Sequence, residues 1–185
     1  MRTPIDSRPR LRWLWALALV TAAAAIPPVA AEAGSGGLSS HTGTADCQKP
    51  ARLRNGKAIA PRCAPRKVKL AIDAANDIAK GHGYCLGGGH SSWKSSCYDC
   101  SGAVSYALHG ARLLDHPLDS SGLARWGRRG KGDWMTIYGN GGHAFMTIAG
   151  LRFDTSDTAG AGPGWAKTMG AENPRDYAKR QKKAL

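Results

Sequence analysis

A cysteine at the predicted start of a helix is the residue of this chain best suited to chemistry. Cys100 lies in the stretch Tyr-Asp-Cys-Ser-Gly at positions 98–102. Apolar residues then recur on one helical face, namely Ala103, Val104, Ala107 and Leu108. The positive end of a helix dipole favours the thiolate, which is the nucleophilic form of cysteine. A disulfide or a buried structural role is the alternative, because a catalytic cysteine also needs a base.

His143 and Asp154 are the candidates for that base and for the group that orients it. His143 opens a predicted strand directly after a turn, and Asp154 lies in the next predicted strand. An antiparallel turn between these strands would bring the carboxylate beside the imidazole, whose other ring nitrogen would face the thiol. This is the orienter–base–nucleophile arrangement of catalytic triads. Arg152 and Thr155 compete with Asp154 for the third position.

The elements that must position these residues are two helices followed by a small sheet. Apolar residues at helical spacing predict a helix over 68–80 and a central helix over 100–114. Residues 133–138, 143–148 and 151–155 are rich in β-forming residues, and an Asn-Gly pair between the first two runs is a hairpin signal. Helices first and strands second predict an α+β fold with an antiparallel sheet.

The N-terminus predicts export. Residues 1–31 combine several arginines, an uncharged apolar run over 14–26 and small residues before a cleavage site near Ala31 or Ala33. This is the pattern of a secretory signal peptide. An uncleaved anchor is the alternative, although the apolar run is short for a membrane span. We therefore expect a secreted, extracellular protein with no stable membrane insertion after cleavage.

The rest of the chain divides into an extension and a folded domain. Residues 32–67 are predicted to be a flexible basic linker or extension, since they are rich in Gly, Ser and Pro and carry few large apolar residues. Residues 68–185 are predicted to form the domain that carries the chemistry. We expect residues 115–131 to be a long loop and residues 179–183 to be a basic tail.

The chain has five cysteines, an odd number, so at least one has no partner within the chain. Export would place them in an oxidising compartment, where disulfides persist. We predict the pairs Cys47–Cys63 and Cys85–Cys97, which leave Cys100 as the free thiol. Sequence alone does not determine the connectivity, and a Cys97–Cys100 bond would block the nucleophile.

The formal net charge is +13 and the sequence pI is about 9.9. This excess of positive charge implies an anionic partner, which could be a nucleic acid, an acidic membrane surface or an anionic polymer. The positive residues are spread over the ends and the loops and are not interleaved with aromatic residues along one element. This distribution argues against a nucleic-acid-binding module.

Several motifs together resemble the NlpC/P60 family of cell-wall cysteine peptidases, in its secreted actinobacterial branch. The resemblance covers roughly residues 68–166 and rests on four segments: Tyr84 followed by Gly87-Gly88-Gly89-His90, Asp99-Cys100-Ser101-Gly102, Gly142-His143-Ala144 and Phe153-Asp154-Thr155-Ser156. It implies a papain-like α+β fold in which the nucleophile begins a helix packed on an antiparallel sheet. It also implies hydrolysis of amide bonds in peptidoglycan stem peptides.

The resemblance further implies a role for individual residues. Cys100 would be the nucleophile, His143 the base and Asp154 the polar third residue, a position where the family often has histidine. The residues implied to line the substrate site, with the first near the oxyanion, are Tyr84, Asp99 and Ser101. Peptidoglycan or its muropeptide fragments and anionic cell-wall polymers are the expected partners of a wall-associated monomer. No metal or cofactor is implied.

Three other functions remain compatible with these residues. The first is a non-catalytic cell-wall-binding module on the same fold. The second is a thiol-redox protein that uses Cys97 and Cys100 as a C-x-x-C pair, although the βαβ context of such proteins is missing. The third is a zinc site built from the same cysteines with His82 or His90, although structural zinc usually needs a second paired motif.

Overall fold

The structure is a computed structural model that describes residues 50–156 and 162–182. The described residues belong to one compact unit, 39–185. The predicted signal peptide at 1–31 and Cys47 lie outside the described residues, so both of those assignments stay predictions. No helix in the described ranges has the length and apolar content needed to cross a membrane.

Two helices form one layer of the core. Helix α1 spans Arg66–Ile78 and buries one face, which consists of Val68, Ala71, Ile72, Ala74, Ala75 and Ile78. Helix α2 spans Cys100–Gly110. A Cβ atom added at Gly110 would lie 2.3 Å from the Cβ of Ala74, so the two helices approach closely at this glycine. Helix α2 ends before the predicted residue 114 because Arg112 has a φ of 56° and leaves the helix.

The second layer is a six-stranded antiparallel sheet in the order β5-β10-β6-β7-β8-β9. Its strands are β5 Arg128–Arg129, β6 Met135–Gly139, β7 Ala144–Ile148, β8 Leu151–Asp154, β9 Gly164–Ala166 and β10 Ala178–Gln181. The predicted meander is present as β6-β7-β8, and helix α2 packs on β7 and β8. The predicted α+β class is thereby confirmed.

Two predictions about irregular segments are wrong. The expected long loop 115–131 contains a short helix, α3 Ser120–Leu123, and strand β5. The expected basic tail forms β10, which pairs with β5 on one side and β6 on the other. The adjacent basic residues Lys179 and Arg180 do not give an apolar strand signal, but the backbone of β10 still pairs with β5 and β6.

Residues 50–67 are not a flexible linker, and the predicted domain start at residue 68 is too late. Strands β1 Arg52–Arg54 and β2 Lys57–Ile59 form a hairpin that packs on α1. The side-chain amide of Asn76 on α1 bonds to both backbone groups of Ala58, at 2.8 Å each. The residues that join this segment to the core are alanines, which carry little apolar signal in the sequence: Ala51, Ala58 and Ala64.

Candidate active site

Helix α2 begins at Cys100, and its first turn is capped by the preceding aspartate. The Asp99 carboxylate accepts hydrogen bonds from the backbone N–H of Gly102 at 2.7 Å and from the hydroxyl of Ser101 at 3.0 Å. Aspartate is among the strongest N-cap residues, which explains why the helix begins here. Cys100 is buried and is the free cysteine of the described residues. Its thiol therefore lies at the positive end of a capped helix, as predicted.

The glycine-rich loop covers the start of α2. Asp99 also accepts a hydrogen bond from the backbone N–H of Gly87 at 3.0 Å, and its own N–H donates to the carbonyl of Gly88 at 3.1 Å. A Cβ atom added at Gly102 would lie only 2.0 Å from that same carbonyl oxygen, so the close approach requires glycine. The loop's glycines thus allow backbone-to-backbone packing at the nucleophile.

A disulfide between Cys85 and Cys97 ties the same loop to the strand before α2, with a Cα–Cα distance of 5.6 Å. These cysteines adjoin a two-residue parallel pair, β3 Gly83–Tyr84 and β4 Cys97–Tyr98. The loop is therefore held to the helix start both covalently and through Asp99. Cys63 is also disulfide-bonded. Its predicted partner Cys47 lies outside the described residues, so the pair Cys47–Cys63 stays a prediction.

His143 lies directly before β7 rather than within it. The side-chain oxygen of Asn140 accepts hydrogen bonds from the backbone N–H of Gly142 at 2.9 Å and of His143 at 2.8 Å, which shapes the turn. The Nε2 atom of His143 lies 3.0 Å from Oδ1 of Asp154 and 3.3 Å from Oδ2. Cys100 also interacts with His143 and contributes to raising the pKa of the imidazole. Since Nε2 faces the carboxylate, Nδ1 is the nitrogen left for the thiol.

Asp154 is the carboxylate that contacts His143, and the structure holds it in place from several sides. It is 1% exposed at the end of β8. It accepts hydrogen bonds from the backbone N–H of Thr155 at 2.6 Å and from the hydroxyl of Ser156 at 3.0 Å. The guanidinium of Arg152 pairs with its other side. Arg152 and Thr155, which competed with Asp154 for the third position of the predicted triad, therefore hold Asp154 in place.

Arg152 has a supporting role that the sequence did not predict. It lies two residues before Asp154 on β8, so the two side chains share one face of the sheet. The guanidinium lies 4.8 Å from the ring centroid of Phe145 on the neighbouring strand. It also donates to the carbonyl of Met169 at 2.5 Å and to the hydroxyl of Ser156 at 3.1 Å. Only 1% of Arg152 is exposed, so its charge acts inside the protein.

The electrostatics of the three groups are coupled. Burial disfavours the charged imidazole of His143, but hydrogen bonds and charge interactions with Asp154 and Cys100 outweigh burial and raise its pKa to about 10. Burial likewise disfavours the Asp154 carboxylate, yet the hydrogen bond and charge of His143 and the charge of Arg152 leave its pKa below the usual value. The site therefore stabilises an imidazolium between a carboxylate and the sulfur.

The three predicted substrate residues have different surroundings. Asp99 and Ser101 are buried, at 6% and 4% exposure, and their side chains bond to each other. Tyr84 is 48% exposed. Its pKa is raised by partial burial and then by the negative charges of Cys100 and Asp99. Of the three, Tyr84 is the residue open to a bound substrate.

His90 contacts both Asp99 and Ser101. The sequence did not predict this positioning role. The Nε2 atom of His90 lies 3.0 Å from Asp99 and 3.1 Å from the hydroxyl of Ser101. The pKa of Asp99 lies below its usual value: burial opposes this, and the bonds from Gly102 and His90 outweigh burial. The position of His90 directly after the glycine run was the available signal, but nothing in the sequence indicates which carboxylate it reaches.

The structure weakens two of the alternative functions. Cys97 is bonded to Cys85, so Cys97 and Cys100 do not form a C-x-x-C disulfide. Within the described part of the chain, no cluster of three His, Cys, Asp or Glu side chains could hold a metal ion. The zinc alternative therefore lacks a ligand set there, since its candidate His90 bonds to Asp99.

In comparisons with known proteins, no family model and no curated protein matches the chain. Solved structures do match it. The peptidoglycan hydrolase RipB from Mycobacterium tuberculosis is 22% identical with a TM-score of 0.44, over 63% of this chain and 68% of that one. The P60 domain of an antigen from M. avium subspecies paratuberculosis is 20% identical with a TM-score of 0.44, over 62% and 94%.

A mutated form of RipA, a Resuscitation Promoting Factor Interacting protein, is 23% identical with a TM-score of 0.46, over 71% of this chain and 69% of that one. Similarity this distant carries no residue role from these proteins to this chain.

Proposed function

We propose that this chain is a secreted cysteine peptidase that hydrolyses amide bonds in peptidoglycan stem peptides. One observation carries the proposal: a free cysteine lies at a capped helix start, His143 interacts with it, and the carboxylate of Asp154 contacts Nε2 of that histidine at 3.0 Å. This combination supplies a nucleophile, a proton carrier and an orienting group. The substrate class rests on the NlpC/P60 resemblance of the motifs, and export rests on the N-terminal signal pattern.

In the first step, the Cys100 thiolate attacks the carbonyl carbon of the scissile amide. The helix start and the imidazolium both favour the thiolate. The hydrogen bond and charge of His143 and the charge of Arg152 keep the Asp154 carboxylate ionised. Hydrogen bonds from Thr155 and Ser156 hold it in place, so the imidazole need not reorient before reaction. The imidazole is thereby held in place before the substrate arrives.

The tetrahedral intermediate carries a negative oxygen that needs hydrogen-bond donors. The first backbone N–H groups of a helix have no acceptor within the helix and are suited to this role. Tyr84 is exposed and interacts electrostatically with Cys100, and in this proposal it supplies a phenolic donor. Burial and the nearby negative charges raise its pKa, so its proton is retained over the working range. One such donor is worth about 3 kcal/mol to the transition state.

Proton transfer from His143 completes acyl-enzyme formation. The imidazolium donates its proton to the leaving amine, and the C–N bond breaks as the acyl group stays on sulfur. The neutral imidazole then accepts a proton from water, which attacks the thioester and releases the carboxylic acid with the thiolate restored. Asp154 remains ionised throughout and stabilises each imidazolium that forms.

Digestion of purified peptidoglycan tests this function. The wild-type chain should release soluble muropeptides, and mass analysis of the products should reveal a new amine and a new carboxylate at one stem-peptide bond. The Cys100→Ala variant should release none, because no other free thiol is present among the described residues. Product release by this variant at the wild-type rate would exclude the mechanism.

The non-catalytic wall-binding alternative predicts a different result. Such a module would bind peptidoglycan without turnover, and its Cys100 would react slowly with iodoacetamide. The proposed enzyme should instead be alkylated rapidly at Cys100, and His143→Gln should slow that reaction. The exposed histidine His116 provides the matched control, since His116→Gln should leave the alkylation rate unchanged.

A further inference from the structure

The outer face of the β1–β2 hairpin gathers positive charge. The strand register pairs Arg54 with Lys57 and Arg52 with Ile59. Because side chains alternate along a strand, these four residues lie on one face, and all four are exposed. The cations here are therefore concentrated by the fold, although the sequence suggested that they were spread over ends and loops.

Neighbouring segments extend this face. Arg52 and Arg62 line a groove of about 270 Å³ together with Ile59 and Pro61. Lys80 reaches the hairpin turn from the end of α1, since a Cβ atom added at Gly56 would lie 2.5 Å from its Cε. We call this region the basic hairpin surface, and its cations are Arg52, Arg54, Lys57, Arg62 and Lys80.

The cations of the basic hairpin surface form no ion pair with an acidic side chain of the described residues. The ion pairs formed by residues 50–156 and 162–182 are His90–Asp99, His143–Asp154 and Arg152–Asp154, and none involves this surface. Arg54 also stands directly opposite Lys57, and like charges at such a position destabilise a hairpin. A bound anion would offset the repulsion between Arg54 and Lys57.

The surface is remote from the candidate active site. His143 lies directly before β7, and the carbonyl of Ala149 directly after β7 accepts a hydrogen bond at 2.7 Å from the backbone N–H of Ala51, which precedes β1. A strand of this length spans roughly 16 Å. A ligand on the hairpin would therefore lie at the opposite end of β7 from Cys100 and would leave the site open.

The chemistry of the surface favours a phosphate polymer. Arginine forks bind phosphate through paired hydrogen bonds, and arginines two positions apart on a strand repeat at about 7 Å. Residues 50–62 contain no aromatic side chain on which a nucleic-acid base could stack. The surface therefore offers contacts to a charged backbone and none of the stacking that single-stranded nucleic acids use.

We propose that the basic hairpin surface binds a linear phosphate polymer of the cell wall, such as poly(glycerol phosphate), and holds the protein beside its substrate. The biological setting rests on the proposed function, but the binding itself does not. Several charge contacts in a row also imply that the affinity falls steeply as salt rises, because each contact releases a counterion.

Titration of the full secreted chain with poly(glycerol phosphate) at several salt concentrations tests this proposal. The variant Arg52→Gln/Arg54→Gln/Lys57→Gln should bind at least about tenfold more weakly at low salt and show a shallower salt dependence. The matched control is Arg128→Gln/Arg129→Gln/Lys131→Gln, which removes the same charge from exposed residues elsewhere. Its affinity should stay within about twofold of wild type.

Three results would overturn the proposal. They are an equal loss of affinity in both triple variants, equal binding of an uncharged polyol of the same length, and tighter binding of a DNA duplex carrying the same number of phosphates. Circular dichroism checks that both variants fold. The hairpin variant should cleave a soluble stem peptide at the wild-type rate, while Cys100→Ala should bind the polymer normally. Loss of binding and loss of catalysis are thus observed separately.

Discussion

The charged groups near the two ends of strand β7 differ in whether they form ion pairs. At the end near His143, the ionised groups of the site have partners: Asp154 pairs with Arg152 and His143, and Asp99 pairs with His90. At the other end, the basic hairpin surface presents exposed cations that form no ion pair among the described residues. Fixed, paired charges suit chemistry that needs one geometry, whereas unpaired exposed charges suit binding of an external anion.

The contrast has an energetic consequence. Removing one partner of a buried pair leaves an uncompensated charge in the interior, which costs several kcal/mol. Removing one exposed cation from a like-charge pair relieves repulsion and costs nothing. Substitutions at the two ends of β7 should therefore change stability in opposite directions.

The largest effect is expected at His143. Glutamine in its place cannot carry the proton to the leaving amine, so His143→Gln should lower kcat at least about 1,000-fold. The measurement is hydrolysis of a soluble stem peptide, with His116→Gln as the control that keeps wild-type activity. Residual kcat within tenfold of wild type would show that another group carries the proton.

Arg152 should have the next largest effect, on stability. Arg152→Met removes a 1%-exposed cation from Asp154, and we expect the free energy of unfolding to fall by about 3 kcal/mol. Urea denaturation measures this change, and the exposed Arg129→Met is the control, within about 0.5 kcal/mol of wild type. The acid limb of the pH–rate profile should also shift upward, since Arg152 helps to lower the pKa of Asp154. A loss below 1 kcal/mol would contradict a buried ion pair.

The pH dependence of stability follows from His143. Its pKa rises from 6.5 to about 10 on folding, so its contribution is complete below pH 6.5 and is lost as the pH rises through 10. Between pH 7 and 9 the free energy of unfolding should therefore fall, by at most about 2.7 kcal/mol. Asp154 has a lowered pKa, so its contribution is present above pH 3.8 and is lost in acid.

Urea denaturation of wild type and His143→Gln at a series of pH values measures this contribution. The variant should lose less stability between pH 7 and 9 than the wild type does. Identical slopes in the two proteins would mean that His143 gains no proton affinity on folding.

The smallest effect is expected at the hairpin. Arg54→Gln should raise the free energy of unfolding by about 0.3 kcal/mol, because it removes the repulsion with Lys57 across the strands. The gain should disappear at high salt, which screens exposed charges. Arg129→Gln serves as a charge-matched comparison, and destabilisation by Arg54→Gln at low salt would mean that the arginine has an internal partner.

Much of the site could be predicted because its signals are local. An aspartate before Cys100 caps a helix, and Asn140 before glycine shapes a hairpin turn, and both effects act within a few residues. The odd cysteine count also indicated a free thiol. The small β1–β2 hairpin escaped prediction because alanines and one asparagine attach it to α1, and neither residue type has a strong apolar signal.

Sequence by itself determined that a helix begins at Cys100 and that His143 follows a turn, because both depend on neighbours along the chain. It also determined that the number of cysteines is odd. Tertiary structure alone decided which side chain reaches His143. Asp154 was the favoured candidate, with Arg152 and Thr155 as competitors, and the register of β7 and β8 places the carboxylate at the ring and the guanidinium behind it. Strand register is a long-range property, and a shift of one residue would turn these side chains to the opposite face.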